Sequence, residues 1–185
     1  MALILGIDPG SRITGYGLVQ AEHGRFTYHA SGCIRLQGET LAQKLAQIYA
    51  SISELIAQYR PDQVAIEQVF MAKNADSALK LGQARGAALV CLANHGFAVH
   101  EYSAKEVKLA VTGTGGADKT QVQQMIVHLL KLSATPQADA ADALAIALCH
   151  GYTSSGLLAL SGQLQAKGRG GSRWRDYDPQ RHKGT

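Results

Sequence analysis

The chain of 185 residues has the length of one compact domain, and its 46% hydrophobic, 17% charged and 6% aromatic content excludes a disordered polyampholyte and a fibrous repeat. The longest apolar runs, Ala87–Ala93 and Ala143–Cys149, fall short of the ~20 residues that a membrane-spanning helix requires. The formal charge of +4 resides in Lys167, Arg169, Arg173, Arg175, Arg181 and Lys183 set against Asp176 and Asp178, so acids and bases balance over residues 1–166.

The opening MALILGIDPG lacks the basic region and small-residue cleavage site of a signal peptide. Cys33, Cys91 and Cys149 are odd in number, well separated and set in apolar sequence. Both features point to a cytoplasmic protein with reduced thiols. In chain order, Leu3–Asp8 reads as a buried strand closed by the Asp-Pro-Gly turn. Ile13–Gln20 and Thr27–Ile34, joined by polar residues Glu22–Gly24, read as a hairpin. From Thr40, an N-cap, apolar residues Leu41, Leu45, Ile48, Ile52, Leu55 and Ile56 recur at three and four, which predicts a helix ending before Pro61. Val64–Glu67 is a short core strand, Ala75–Asn94 a long helix ended near Gly96, and Ala98–Tyr102 a fifth strand. Helices follow over Ala104–Val111, Ala117–Leu132 and Gln137–His150. Strands after the first helix return by crossovers and so lie parallel. The expected class is α/β: a mixed five-stranded sheet, three antiparallel strands then two parallel, flanked by helices.

Four carboxylates stand in apolar sequence: Asp8 and Glu67 at strand ends, and Asp139 and Asp142 in Gln-Ala-Asp-Ala-Ala-Asp-Ala-Leu-Ala-Ile-Ala. Burial of an uncompensated carboxylate costs several kcal/mol, and no basic residue lies within three positions of any of them. Asp139 and Asp142, spaced i, i+3, project from one helix face. Each has a plain alternative taken alone: a turn residue for Asp8, a helix-dipole partner for Asp139, solvent for Asp142, a distant lysine for Glu67. Together they could converge on a hard cation. Oxygen-only ligands select Mg²⁺, with Mn²⁺ as a substitute, and such clusters support two-metal phosphodiester hydrolysis, the work of a nuclease. With those acids engaged, the remaining surface has an excess of positive charge suited to a polyanion.

Gly6-Ile7-Asp8-Pro9-Gly10-Ser11, Ala65-Ile66-Glu67-Gln68-Val69-Phe70, Ala84-Arg85-Gly86 and Gln137-Ala138-Asp139-Ala140-Ala141-Asp142-Ala143 together resemble the bacterial RuvC family, Holliday-junction resolvases with a ribonuclease-H-like fold. The likeness runs from Met1 to about Tyr152. It implies a Mg²⁺-dependent endonuclease, with two ions per subunit, that acts as a homodimer on four-way DNA junctions and works with the RuvA–RuvB branch-migration complex. By the same resemblance Asp8, Glu67, Asp139 and Asp142 match the catalytic, metal-binding carboxylates, Lys108 and Lys119 match DNA-binding and active-site lysines, and Phe70 matches an aromatic that stacks on an unpaired base. It also implies that helix Ala75–Asn94, with small residues Gly82 and Gly86, forms much of the dimer interface. Residues 1–157 are expected to form the nuclease domain and 158–185 a basic, disordered tail. Two rivals share the fold: a nuclease acting on structured RNA and a non-catalytic junction-binding protein.

Overall fold

The computed structural model describes residues 1–68 and 75–156. Five strands, β1 (Ala2–Asp8), β2 (Ile13–Glu22), β3 (Arg25–Arg35), β4 (Gln63–Gln68) and β5 (Val99–Ser103), form one sheet in the order β3-β2-β1-β4-β5. The pairs β1–β2 and β2–β3 are antiparallel, and β1–β4 and β4–β5 are parallel. The hairpin between β2 and β3 is tighter and longer-armed than the polar Glu22–Gly24 stretch suggests. Glu22 pairs with Arg25, and the two residues between them, His23 at φ 47° and Gly24 at φ 78°, take the left-handed conformation of a two-residue turn.

Strand alternation sorts the core into two halves. Leu3, Leu5, Ile7, Val64 and Ile66 face α1 (Leu41–Tyr59) and α2 (Ala75–Asn94) and are fully buried or nearly so. Ile4, Val19 and Ala65 face the opposite side, against α3 (Ala104–Thr112), α4 (Lys119–Leu129) and α5 (Ala138–Ser154). By the same parity Asp8 and Glu67 belong to the α5 side. Helix α5 is buried along almost its whole length because the sheet presents glycine to it. A Cβ on Gly6 would stand 2.1 Å from the Ala143 carbonyl oxygen, and one on Gly15 would stand 1.9 Å from that of Asp139. Only the missing side chains let helix and sheet approach this closely.

Helix starts follow capping chemistry. Thr40, Ser103 and Asp118 each accept from the backbone N–H three residues on, with Gln43, Glu106 and Gln121 reaching back. The Asp118 cap starts α4 at Lys119 instead of Ala117, and Leu130 caps its end before Lys131 turns left-handed at φ 50°, so α4 is shorter than its apolar pattern suggests. One histidine is structural: His150 is buried, stacks on His100 with ring centroids 4.2 Å apart, and hydrogen-bonds Tyr102 at 2.8 Å and Gln63 at 3.1 Å. The cysteines are free thiols. Among the described residues no helix is long and apolar enough to cross a membrane.

Candidate active site

Asp8 is the last residue of β1, and the parallel register Ile7↔Ile66 sets it beside Glu67 near the end of β4. Across the antiparallel ladder Asp8 faces Gly15, the residue whose bare backbone receives the Asp139 carbonyl. The start of α5 is therefore seated directly over the end of β1, with Asp139 in its first turn and Asp142 three residues further along the same face. Both are half-buried, as are Asp8 and Glu67, while Ala140, Ala141 and Ala143 between and after them are fully enclosed. The pair lies at the rim of the core and not within it, which leaves the carboxylates open to a ligand.

The grouping is visible in the charges. Burial pushes the Asp8 carboxyl from 3.8 up to about 8, and the negative charges of Glu67, Asp142 and Asp139 add to that push while Lys119 opposes it. Glu67 is also raised, by burial and then by Asp142, against a hydrogen bond with Asp8 and the charges of Lys119 and Lys108. Asp142 is raised by burial, with Lys119 pulling it down. Lys119, at the first position of α4, stands 3.4 Å from the Asp142 carboxylate, and that carboxylate raises its pKa in turn. The contact is largely exposed and adds little stability. These side chains share a field and are not already drawn around one point: among the described residues no three His, Cys, Asp or Glu stand as a finished ligand set. The donor set nevertheless fits a hard divalent cation. All the donors are carboxylate oxygens, and the protein supplies too little positive charge to neutralise them.

Six of the seven residues singled out from sequence are thus placed. The four carboxylates and Lys119 come together, Lys108 of α3 is near enough to lower Glu67 and Asp142, and Phe70 lies outside the described residues. Arg85 makes contacts that the sequence alone does not announce. Its Nε–H donates to the Glu67 carbonyl oxygen at 3.0 Å and its guanidinium pairs with Glu101 of β5. The available signal was a charged residue inside the small-residue run Ala84-Arg85-Gly86.

A ribonuclease-H-like sheet with an acidic, oxygen-only cluster over its central strand ends defines a nuclease that depends on a divalent metal. The family described as Crossover junction endodeoxyribonuclease RuvC matches residues 4–150. A protein of that description from Pseudoalteromonas atlantica is 61% identical over 170 residues, covering 92% of this chain and 98% of that protein. Another from Chromohalobacter salexigens is 59% identical over 177 residues, covering 96% and 95%. Among solved structures, Thermus thermophilus RuvC in complex with a Holliday junction substrate is 32% identical with a TM-score of 0.77, covering 83% of this chain and 95% of that one. The yeast mitochondrial Holliday junction resolvase Ydc2, at 13% identity and a TM-score of 0.64, shares the fold. The chain belongs to the RuvC family of crossover junction endodeoxyribonucleases.

Proposed function

We infer that the protein resolves four-way DNA junctions, hydrolysing one phosphodiester bond in each of two strands of like polarity so that the ends can be religated. Asp8, Glu67, Asp139 and Asp142 serve as the catalytic carboxylates and hold Mg²⁺, or Mn²⁺ in its place, with two ions per subunit. The observation that supports this most is the Asp8 carboxyl raised to about 8 by burial and by three neighbouring acids: a site that resists its own negative charge favours a cation in its midst. A bound hard cation supplies Lewis acidity and neutralises charge on the scissile phosphate. The carboxylates fix that charge in place, and none of them is required as a nucleophile, so water attacks directly. Lys119, held toward the cluster by Asp142, and Lys108 present positive charge to the phosphate backbone. Phe70, two residues beyond Gln68, stacks on a base unpaired at the branch point.

Two such sites cut symmetrically if the protein is a homodimer. Support lies on α2, where Leu79, Gly82, Gly86 and Val90 follow one helical stripe. Leu79 is 62% and Val90 54% exposed, and added methyl groups at the two glycines would meet nothing within 4 Å. Such a stripe suits a second copy of the same helix. The dimer acts in the cytoplasm with the RuvA–RuvB complex, residues 1–157 forming the nuclease domain and the basic segment 158–185 following it. The test is substitution: Glu67→Gln and Asp139→Asn each abolish cleavage of a four-way junction with Mg²⁺ while binding it in EDTA as wild type does. Substantial cleavage by either variant removes that residue from the site.

A further inference from the structure

Arg85 lies midway along α2, with its side chain only 20% exposed and turned toward the end of the sheet that bears Glu67. One planar group makes two bonds there. Nε–H donates to the Glu67 carbonyl oxygen at 3.0 Å, and a terminal nitrogen pairs with the Glu101 carboxylate. Glu101 is the β5 partner of Ile66, one residue before Glu67 in the neighbouring strand. The guanidinium therefore joins α2, β4 and β5 at the point where β4 ends, and its rigid fork fixes both bonds at once.

This bracing acts on the backbone of Glu67, whereas the cations that act on its carboxylate are Lys119 and Lys108. Glu67 needs such a brace, because Asp142 repels its carboxylate and β4 ends one residue later at Gln68. We propose that Arg85 is a positioning residue: braced by Glu101, it fixes the chain at Glu67 and so sets where that carboxylate meets a divalent cation. The proposal rests on Glu67 being a metal ligand, as inferred above. Partners that orient a metal ligand without touching the metal are typically worth about 10–100-fold in metal affinity or activity.

The experiment compares the full-length wild type with Arg85→Lys, Arg85→Gln and, as a control, Glu67→Gln. Mn²⁺ binding is followed by the electron paramagnetic resonance signal of the free ion, alongside thermal unfolding, junction binding in EDTA and junction cleavage against Mg²⁺ concentration. Lysine keeps a cation for Glu101 but ends in a single nitrogen, with no second one placed to donate to the Glu67 carbonyl. Arg85→Lys should therefore unfold near the wild-type temperature yet bind Mn²⁺ about tenfold more weakly. Its Mg²⁺ half-saturation for cleavage should rise by a similar factor, with cleavage recovering at high Mg²⁺ and junction binding in EDTA unchanged. Arg85→Gln should show the same metal defect. If Arg85→Lys binds Mn²⁺ as wild type does, the residue is only an ion-pair partner and the proposal is overturned. Weakened junction binding in EDTA with intact Mn²⁺ binding overturns it differently, by making Arg85 a DNA contact. If Glu67→Gln itself keeps Mn²⁺ binding and cleavage, the site reading beneath the proposal fails and the proposal falls with it.

Discussion

Replacing Asp8 with Asn removes a carboxyl whose ionisation the fold resists. In the metal-free protein its pKa stands at about 8 against an ordinary 3.8. For an acid raised in this way, the contribution to stability is whole below the ordinary value and is lost as the pH climbs through about 8. Near pH 7.5 the loss, at ~1.36 kcal/mol per pH unit, reaches about 5 kcal/mol as an upper limit. Because the charge is shared with neighbouring acids, about 2–4 kcal/mol is the working figure. An asparagine carries none of this penalty, and its amide can still donate to Glu67. A domain of this size moves roughly 2–4 °C per kcal/mol, so in EDTA near pH 8 Asp8→Asn should melt about 5–15 °C above wild type, the gap closing toward pH 5. Mg²⁺ should reverse the ranking, since a ligand that binds only the folded state stabilises it by mass action and Asp8 is proposed above as one of the groups that hold the ion. Thermal unfolding of both proteins across that pH range, in EDTA and in Mg²⁺, measures all of this. If Asp8→Asn melts at or below wild type in EDTA near pH 8, the fold does not resist the Asp8 charge and the neighbouring acids do not act on it as a cluster.

Two further predictions concern how the site is seated and how the fold meets acid. Gly15→Ala places a methyl group where the Asp139 carbonyl oxygen is 1.9 Å away, so α5 must shift outward and take Asp139 and Asp142 with it. Cleavage should fall about 10²-fold, the usual cost of a displacement near 1 Å, with junction binding retained; near-wild-type cleavage would show that this close approach does not position the acids. His150 is buried beside His100, and burial lowers its pKa from 6.5 to about 4. A base depressed in the fold loses stability as the pH falls from about 6.5 to about 4, up to about 3 kcal/mol. His150→Asn should be less stable near neutrality, with Tyr102 and Gln63 deprived of a partner, but should lose less on acidification. Equal acid slopes in denaturant titrations with EDTA would contradict the assignment.

The elements were readable because their periods are local. The Leu41–Tyr59 stripe, its Thr40 cap and the i, i+3 spacing of Asp139 and Asp142 are all properties of a few neighbouring residues. The four carboxylates were conspicuous because charge in apolar sequence demands a partner. What brings them together was not readable. Gly6 and Gly15 look like weak points in strands, and their use as a seat for α5 exists only once helix and sheet are stacked. Arg85 reaches Glu67 across eighteen residues and Glu101 across sixteen, and nothing local announces either bond. His150 likewise draws its partners from β4 and β5. The Phe70 reading and the basic segment after Lys167 fall outside the described residues and rest on the family resemblance and on composition.

A junction-specific nuclease that runs on a divalent metal at this acidic cluster must choose its substrate by shape and stop when the metal is removed. The most direct measurement incubates the protein with a mobile four-way junction, a linear duplex of the same sequence and a structured RNA, each with Mg²⁺ or EDTA, and maps the products on a denaturing gel. Paired nicks are expected in two junction strands of like polarity with Mg²⁺, none with EDTA, and little cutting of duplex or RNA. Equal cutting of duplex and junction, cutting of the RNA in preference, or junction cleavage that persists in EDTA would contradict that expectation.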